Sequence, residues 1–318
     1  MFKYFIAIIS SYILVTKLIP IFINISFQLD FTDKPTERKK HKKSTPLVGG
    51  LCMYISFFII YLFFSYKYKI ENSIYIFLGA TLILLIGLVD DYYKARKKEF
   101  SIMPRVIVQI LSASLIFSIG IVFKGFTNPL NGEFIFFHPL IQYFFTITWI
   151  FGLTTVVNWS DGMDGIAGSI VSISSITLFF VSLVKDQYDS AITAVILLGG
   201  VLGFLKFNKY PAKIFMGDSG ANFLGFMLSI IALEGSFKQA TLISVIIPFI
   251  VLGIPIFDNI FVIIKRFING KEIYKADRSQ LHYRLQKRGL NKKQIFTYIS
   301  ILSGILSIIS IILALLNI

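Results

Sequence analysis

The chain has 318 residues, of which 55% are hydrophobic and only 15% are charged. A soluble domain carries about 25% charged residues, so this composition and a mean hydropathy of +0.76 argue against a water-soluble enzyme. The net charge of +14 in so apolar a chain predicts contact with anionic lipid or an anionic substrate and disfavours nucleic acid as a partner. The single cysteine, Cys52, excludes an internal disulfide and a cysteine-built metal site.

Long apolar runs follow one another along almost the whole chain. A run of about 18 or more such residues can cross a bilayer as a helix, and the pattern predicts about ten spans. They are residues 2–24, 47–64, 73–90, 104–123, 139–157, 166–184, 190–205, 220–234, 239–264 and 294–316. Because no room remains for a soluble domain, we expect one all-α, polytopic membrane domain over residues 1–318. The first run lacks a small-residue cleavage site and is predicted to be a span, not a signal peptide.

Basic residues are distributed unequally between the loops on the two sides. Loops on one side hold 24 Lys and Arg, and the opposite loops hold six. Because cytoplasmic loops carry the excess of positive charge, the pattern predicts a multi-pass protein of the cell membrane with both termini outside. In the basic loop 265–293 a short interfacial helix is predicted over 278–288, with Leu281 and Leu285 toward the membrane and Gly289 as its stop.

Several acidic residues indicate function because they lie at the cytoplasmic ends of spans. A carboxylate at membrane depth is costly, and by default it is paired, coordinated or functional. A helix N-cap explains one such aspartate, but it does not readily explain six from four chain segments on one leaflet. Oxygen ligands alone suit Mg²⁺, with Mn²⁺ as the alternative. The six residues are Asp90, Asp91, Asp161, Asp164, Asp218 and Asp258.

Two glycine-flanked segments, 158–165 and 215–220, place these acids where a helix opens. A helix N-terminus with acids beside it suits a metal that carries a phosphate, and a capped turn is the alternative. The Asp90-Asp91 pair ends a span and is followed by a run of cations. That arrangement fits a metal bound beside a polyphosphate, or else a cluster of charges at the membrane boundary.

Other catalytic signatures are absent from the sequence. It has no G-x-x-x-x-G-K-[ST] loop and no G-x-G-x-x-G after a strand, which excludes the common nucleotide-binding modules. His41, His138 and His282 are too scattered for a zinc site. A transporter is the rival class, but transporters place acids near the midplane and often have two related halves. Here the acids gather at one interface, and the chain shows no internal repeat.

At these residues the chain resembles the polyprenyl-phosphate N-acetylhexosamine-1-phosphate transferases, a family related to the phospho-N-acetylmuramoyl-pentapeptide transferase of peptidoglycan synthesis. The resemblance covers nearly the whole chain in order. Its motifs are Asp33-Lys34-Pro35, Arg38 to His41, Pro46 to Gly50, Asp90-Asp91, Asn158 to Gly165, Phe215 to Asp218, Pro255 to Asp258 and Asp277 to Leu285. It implies transfer of a sugar 1-phosphate from a UDP-sugar to a polyprenyl phosphate with Mg²⁺ and release of UMP, at the start of O-antigen, common-antigen or wall teichoic acid synthesis.

The resemblance also implies roles for the residues at matching positions. Asp218 is expected to be a metal ligand, Asp90 and Asp91 to lie beside the acceptor phosphate, and Asn158, Asp161 and Asp164 to line the nucleotide and metal centre. Because two anionic substrates must be brought together, we also expect Asp91, Asp161 and Asp164 to bind and position the metal with Asp218, and Asp90 is the candidate general base. The residues expected around the donor are Asn158, Lys42, Lys94, Arg278, Gln280, Arg284 and the candidate catalytic His282.

The chain departs from the family pattern in one motif. The family carries D-R-x-H-x-H-H-R-L, whereas here only His282 remains, and Gln280 and Tyr283 replace the other two histidines. Both replacements still donate hydrogen bonds. The basic loop ending at Gly49-Gly50 resembles the teichoic-acid and O-antigen branch, which favours UDP-N-acetylglucosamine over another UDP-N-acetylhexosamine or a peptide-bearing donor. The prenyl length, the glycan pathway and the oligomeric state, a homodimer included, are left open.

Overall fold

The chain folds into a bundle of α-helices. The computed structural model describes residues 1–34, 44–128, 131–236, 242–272 and 279–316. In chain order the helices are α1 (Phe2–Gln28), α2 (Gly49–Tyr68), α3 (Ser73–Ala95), α4 (Ile102–Ser118), α5 (Pro139–Ser160), α6 (Ile166–Val184), α7 (Tyr188–Asn208), α8 (Gly217–Ser236), α9 (Leu242–Val251), α10 (Gly253–Ile268), α11 (Leu281–Lys287) and α12 (Lys292–Leu316). Two short antiparallel hairpins, which the sequence pattern does not predict, pair β1 (Thr32–Asp33) with β2 (Thr45–Pro46) and β3 (Gly125–Thr127) with β4 (Phe134–Phe136).

Every apolar run predicted to cross the membrane coincides with a helix or a pair of helices. Among the described residues seven helices are long and apolar enough to span, and the bent pair α9–α10 makes eight if it is one span. The seven are α1, α2, α3, α5, α6, α7 and α12. Helix α4 is apolar but has only 17 residues. The all-α membrane fold is confirmed, while the count of about ten spans and the outward placement of both termini stay predictions.

Helix α8 forms the core of the bundle. It packs against α2, α3, α5, α6 and α7. Three consecutive side chains, Phe226, Met227 and Leu228, are each fully buried, although they point in different directions around the helix. A helix that is apolar on all sides belongs inside other helices. Its N-terminus therefore lies where several helix ends converge, and this position defines the candidate site.

Glycines let the backbones of two neighbouring helices come into direct contact with the backbone of the first turn of α8. A Cβ added at Gly50 of α2 would lie 2.3 Å from the Cα of Gly220, and a Cβ added at Gly87 of α3 would lie 2.4 Å from the Cα of Ser219. Real Cβ atoms do not come so close, so no other residue fits at these crossings without displacing a helix. The start of α8 is thus clamped between α2 and α3.

The predicted span 239–264 is broken in the structure. Helices α9 and α10 meet at an angle of 80°, and α9 contains Pro248, which lacks a backbone N–H and favours a helix break. Helix α10 exposes large apolar side chains, among them Phe257 and Phe267, and buries Asn259 and Val262 on its other face. The sequence predicts the apolar character of this stretch but not its bend.

Helix α11 is shorter than predicted and faces the protein. It covers Leu281–Lys287, within the predicted 278–288. The expectation that Leu281 and Leu285 face the membrane is wrong, because Leu285 is buried in a cluster with Ile295 of α12 and Leu281 packs against the same cluster. The physical reason is that α10 and α12 provide an apolar surface beside the loop, so the two leucines are removed from water without entering lipid.

Candidate active site

Two carboxylates predicted as functional meet at a single lysine beside the N-terminus of α8. The Nζ of Lys94 lies 2.9 Å from Oδ2 of Asp90 and 2.5 Å from Oδ2 of Asp218. Asp90 and Lys94 lie one turn apart on α3, where side chains four residues apart are neighbours. Asp218 comes from the first turn of α8. Lys94 therefore joins two acidic motifs that are far apart in the chain.

Arg105 is a second cation at the same carboxylates and is not among the site residues predicted from the sequence. It lies in the first turn of α4, with Nη1 3.4 Å from Oδ2 of Asp90 and 3.7 Å from Oδ2 of Asp218. Its Nε is buried without a hydrogen-bond partner among the described residues. In the sequence it is one of several basic residues near the end of a span. Only its position inside the start of an apolar helix distinguishes it from its neighbours.

Asp91 holds the N-terminus of α8. Its Oδ1 accepts the backbone N–H of Asp218 at 2.8 Å, and its Oδ2 accepts the N–H and the Oγ–H of Ser219 at 3.0 and 2.7 Å. A Cβ at Gly217, where φ is +72°, would lie 2.3 Å from Oδ2 of Asp91. The glycine is therefore needed both for the backbone turn and for the approach of the carboxylate.

Asp161 follows directly on the C-terminus of α5. The helix ends where the Asp161 N–H donates to the carbonyl oxygen of Asn158 at 3.2 Å. Burial, and after it the nearby carboxylates of Asp218 and Asp91, raises the pKa of Asp161 to about 7. The structure thus brings Asp161 within electrostatic reach of the acids of α3 and α8, as the sequence predicts for a shared site.

Asp164 lies at the other end of the same loop and faces the connection between α7 and α8. Its Oδ2 accepts the backbone N–H of Ala212 at 3.3 Å and lies 3.7 Å from Nζ of Lys292. It also acts electrostatically on Asp161. The structure therefore places Asp164 at the edge of the acidic cluster, where a basic residue of α12 and a backbone amide already neutralise part of its charge.

Asn208, the last residue of α7, ties the glycine-flanked segment 158–165 to the residue that precedes the segment 215–220. Its Oδ1 accepts the N–H of Gly165 at 2.9 Å, and its Nδ2 donates to the carbonyl oxygen of Ile214 at 2.8 Å. The side chain is buried, so each of these bonds satisfies a group that water does not reach. No sequence signal singles out this asparagine, because its partners lie in other segments.

Backbone hydrogen bonds connect the Pro46 to Gly50 segment to the residues before α8. The N–H of Phe215 donates to Pro46 at 2.9 Å, and the N–H groups of Gly49 and Gly50 donate to Phe215 and Met216, each at 3.0 Å. Two motifs that lie far apart in the sequence are thus one structural unit. This unit places the end of the first basic loop beside the first turn of α8.

Helix α11 docks against the loop that carries Asp161. The Nε2 of Gln280 donates to the carbonyl oxygen of Trp159 at 3.2 Å. The ring of His282 fills the space where Gly162 has no side chain, because a Cβ there would lie 2.3 Å from Nε2 of the histidine. Burial lowers the pKa of His282 to about 4, so the imidazole is neutral at pH 7.

Asp258 fixes α11 from the side of α10. Its Oδ2 accepts the N–H of Leu281 at 2.8 Å, and its Oδ1 lies 2.9 Å from Nη2 of Arg284. The guanidinium of Arg284 also lies over the ring of Phe261, 4.1 Å from its centroid.

Two of the predicted donor-binding residues, Lys42 and Arg278, lie outside the described residues.

Comparisons with known proteins assign the central part of the chain to one family. Residues 73–236 match the family model described as glycosyl transferase family 4, a stretch that runs from the start of α3 to the end of α8 and covers just over half of the chain. This chain belongs to glycosyl transferase family 4. The match contains Asp90, Asp91, Asp161, Asp164 and Asp218.

Curated relatives of this family-4 transferase span nearly the whole chain. A protein named probable undecaprenyl-phosphate N-acetylglucosaminyl 1-phosphate transferase, from Bacillus subtilis (strain 168), is 34% identical over 98% of this chain and 86% of its own length. A phospho-N-acetylmuramoyl-pentapeptide-transferase of Clostridium botulinum (strain Eklund 17B / Type B) is 31% identical over 92% of this chain and 91% of its own. A decaprenyl-phosphate N-acetylglucosaminephosphotransferase of Mycobacterium leprae (strain TN) is 26% identical over 88% and 76%.

The acidic cluster of this family-4 protein offers the oxygen ligands that a hard divalent cation prefers. Within the described part of the chain, no three acidic, histidine or cysteine side chains are arranged to hold a metal ion by themselves. Mg²⁺ in proteins is usually bound by one or two carboxylates, with water and substrate phosphate in the other positions. Asp218 and Asp161 fit that description, whereas both oxygens of Asp91 accept hydrogen bonds from α8.

Proposed function

We propose that this chain transfers N-acetylglucosamine 1-phosphate from UDP-N-acetylglucosamine to a polyprenyl phosphate and releases UMP. The observation that carries the proposal is the convergence of Lys94 and Arg105 on Asp90 and Asp218 at one end of an apolar helix bundle. Two cations and two carboxylates at such a position suit a reaction between a soluble diphosphate and a phosphate attached to lipid. Membership of glycosyl transferase family 4 supports the same reaction.

The reaction exchanges one phosphoanhydride for another. An oxygen of the acceptor phosphate forms a bond to the β-phosphorus of the nucleotide sugar, the bond from that phosphorus to the bridging oxygen breaks, and UMP leaves with that oxygen. A phosphate monoester has a second pKa of about 6 and is mostly a dianion at pH 7. The acceptor therefore needs little help from a base. Asp90, which is paired with Lys94, then orients this cation.

Repulsion between two anionic substrates is the main obstacle to this reaction. Lys94 and Arg105 can neutralise part of that charge, and a planar guanidinium can bind two phosphate oxygens at once. Preorganised cations of this kind stabilise the charge of a phosphoryl-transfer transition state. The buried Nε of Arg105, which has no partner among the described residues, is a donor that such an anion would satisfy.

We further propose that Mg²⁺, or Mn²⁺ in its place, acts as the cofactor. Asp218, in the first turn of α8, and Asp161, directly after α5, would hold it, because the two residues lie at the ends of helices that pack against each other. When bound, the ion supplies additional positive charge next to the donor diphosphate. Asp91 and Asp164 support the cluster through their contacts with α8 and with the α7–α8 connection.

The site is proposed to face the cytoplasm. The support is the positive-inside rule, because the loops on the side of the acidic cluster carry 24 of the Lys and Arg residues. In a Cys52→Ser background, Lys98→Cys should resist a membrane-impermeant maleimide in intact cells, while Asn131→Cys should react. Reaction of Lys98→Cys from outside would place the site on the wrong side for a nucleotide sugar.

The donor is tested by comparing candidate nucleotide sugars one at a time with purified components. The wild-type protein, Mg²⁺ and polyprenyl phosphate are incubated separately with UDP-N-acetylglucosamine, other UDP-N-acetylhexosamines and UDP-N-acetylmuramoyl-pentapeptide, and UMP release is measured. We expect UDP-N-acetylglucosamine to give the highest kcat/KM. Preference for the pentapeptide donor would assign the chain to the reaction named for the Clostridium botulinum relative. No UMP release with any donor would refute the proposed function.

A further inference from the structure

Asp91 makes three hydrogen bonds to one place, the first turn of α8. The acceptors are its two carboxylate oxygens, and the donors are the backbone N–H of Asp218 and both the N–H and the hydroxyl of Ser219. The first amides of a helix have no partner within the helix itself. Because α8 is enclosed by other helices, water is a poor substitute for Asp91 at these amides.

The surrounding backbone is arranged around this carboxylate. Asp91 is 0% exposed, and Gly217 leaves room for its Oδ2, where a Cβ would come within 2.3 Å. Gly87, one turn earlier on α3, allows contact with the Cα of Ser219. The crossing of α3 and α8 therefore depends on two glycines and one buried acid, and Asp218 lies directly on it.

We infer that Asp91 is a positioning residue, which acts through the first turn of α8 to fix the carboxylate of Asp218, and that it does not itself bind the metal or the substrates. A carboxylate that accepts three hydrogen bonds, two from backbone amides at the positive end of a helix, is strongly held in that orientation. The inference rests on the proposed function for its kinetic readout only.

Hydrogen exchange tests the inferred bonds directly and needs no turnover. In the wild-type protein in detergent, the amides of Asp218 and Ser219 should be protected, although first-turn amides normally are not. In Asp91→Asn an NH₂ group, which cannot accept a hydrogen bond, replaces one carboxylate oxygen. Exchange of these amides should therefore become faster by about tenfold or more. Ser219→Ala removes one of the three bonds and should speed it less. Ser229→Ala, a change of a buried serine whose hydroxyl bonds to Phe226 in the same helix, is the matched control.

The Mg²⁺ requirement for UMP release separates positioning from direct binding. If Asp91 acts through α8, Ser219→Ala should raise the Mg²⁺ concentration for half-maximal rate by about threefold or more and lower kcat, since Asp218 is less well fixed. If Asp91 were a ligand, Ser219→Ala would leave the carboxylate intact and free one of its oxygens, so the requirement would stay unchanged or fall. Ser229→Ala should keep the wild-type value.

The outcomes can be distinguished from those of the proposed function. Unchanged exchange at Asp218 and Ser219 in Asp91→Asn, or a wild-type Mg²⁺ requirement in Ser219→Ala, would overturn the inference. If Asp91→Asn does not fold, both hydrogen exchange and the Mg²⁺ requirement are measured on the milder variant Ser219→Ala. Failure of the wild-type protein to release UMP would refute the proposed function, while the exchange experiment would still decide whether Asp91 holds α8.

Discussion

The ammonium of Lys94 lies 2.5 Å from the carboxylate of Asp218, a residue of another helix, and 2.9 Å from that of Asp90. The protein thus holds its own cation between the acids at the place where a metal and a diphosphate are proposed to bind. A buried carboxylate that loses its counter-charge is costly. Lys94 therefore stabilises the acidic cluster and at the same time presents positive charge to an anionic substrate.

Lys94→Met is expected to lower the rate of UMP release by at least about 100-fold, the effect of removing a principal electrostatic group. The physical reason is that both substrates are anions and that Asp90 and Asp218 would face each other without Lys94. Steady-state kinetics with the purified variant measures this. Lys98→Met is the matched control, because Lys98 is exposed on the same segment. Equal losses in both variants would show that net charge, and not position, decides the rate.

Removal of divalent cations with EDTA is expected to abolish UMP release, and added Mg²⁺ or Mn²⁺ should restore it, because the site offers oxygen ligands. Asp218→Asn should lose about 100-fold or more and should not be rescued by excess Mg²⁺. Asp30→Asn is the control, since Asp30 pairs with Lys34 and its side chain is 71% exposed. Full activity in EDTA, or in a folded Asp218→Asn protein, would contradict the metal assignment.

Asn208→Ala is expected to destabilise the protein and to lower its activity together. It would leave the N–H of Gly165 and the carbonyl of Ile214 without their partner, and each buried group left unsatisfied costs about 1–3 kcal/mol. Thermal unfolding in detergent measures the first effect and UMP release the second. Asn269→Ala should change neither, because that exposed side chain donates to the carbonyl oxygen of Lys265 one turn earlier in the chain. A wild-type Tm for Asn208→Ala would show that the two loops hold their positions independently.

The contribution of His282 to stability is expected to fall between pH 7 and pH 5, whereas the raised pKa of Asp161 acts in the opposite direction over the same range. Its pKa in the folded protein, about 4, lies below the ordinary value of 6.5, so the unfolded chain binds a proton in this range that the folded chain does not. The stabilising contribution is complete above pH 6.5 and is lost as the pH falls toward 4. At pH 5 the loss amounts to about 2 kcal/mol.

The dependence is measured by thermal unfolding in detergent at pH 7, 6 and 5. Relative to the wild-type protein, His282→Gln should become more stable as the pH falls from 7 to 5, whereas the difference between His138→Gln, a change at an exposed residue at the start of α5, and the wild type should not vary with pH. An identical pH dependence in wild-type and His282→Gln proteins would mean that the ring is not buried as a neutral group.

The helices and the acidic cluster were largely predictable from local sequence. Apolar runs separated by short charged loops specify membrane helices because backbone polar groups in lipid must be satisfied within the segment. Asp90, Asp161 and Asp218 could be predicted as functional because a carboxylate at the end of an apolar run is costly unless it is paired, coordinated or functional. The bend between α9 and α10 and the inward face of α11 were not predictable, because they depend on which neighbouring helices offer a surface.

The sequence by itself determined that this is an all-α membrane protein with acids and cations at one set of helix ends, because composition and hydropathy are properties of local segments. Only the tertiary structure decided what each charged group does. It set Lys94 and Arg105 between Asp90 and Asp218, turned Asp91 toward the amides of α8, and made Asn208 the link between two loops. Each of these relationships joins residues from different helices or loops, so no spacing along one segment encodes it, and only the packing around α8 brings the partners within hydrogen-bond distance.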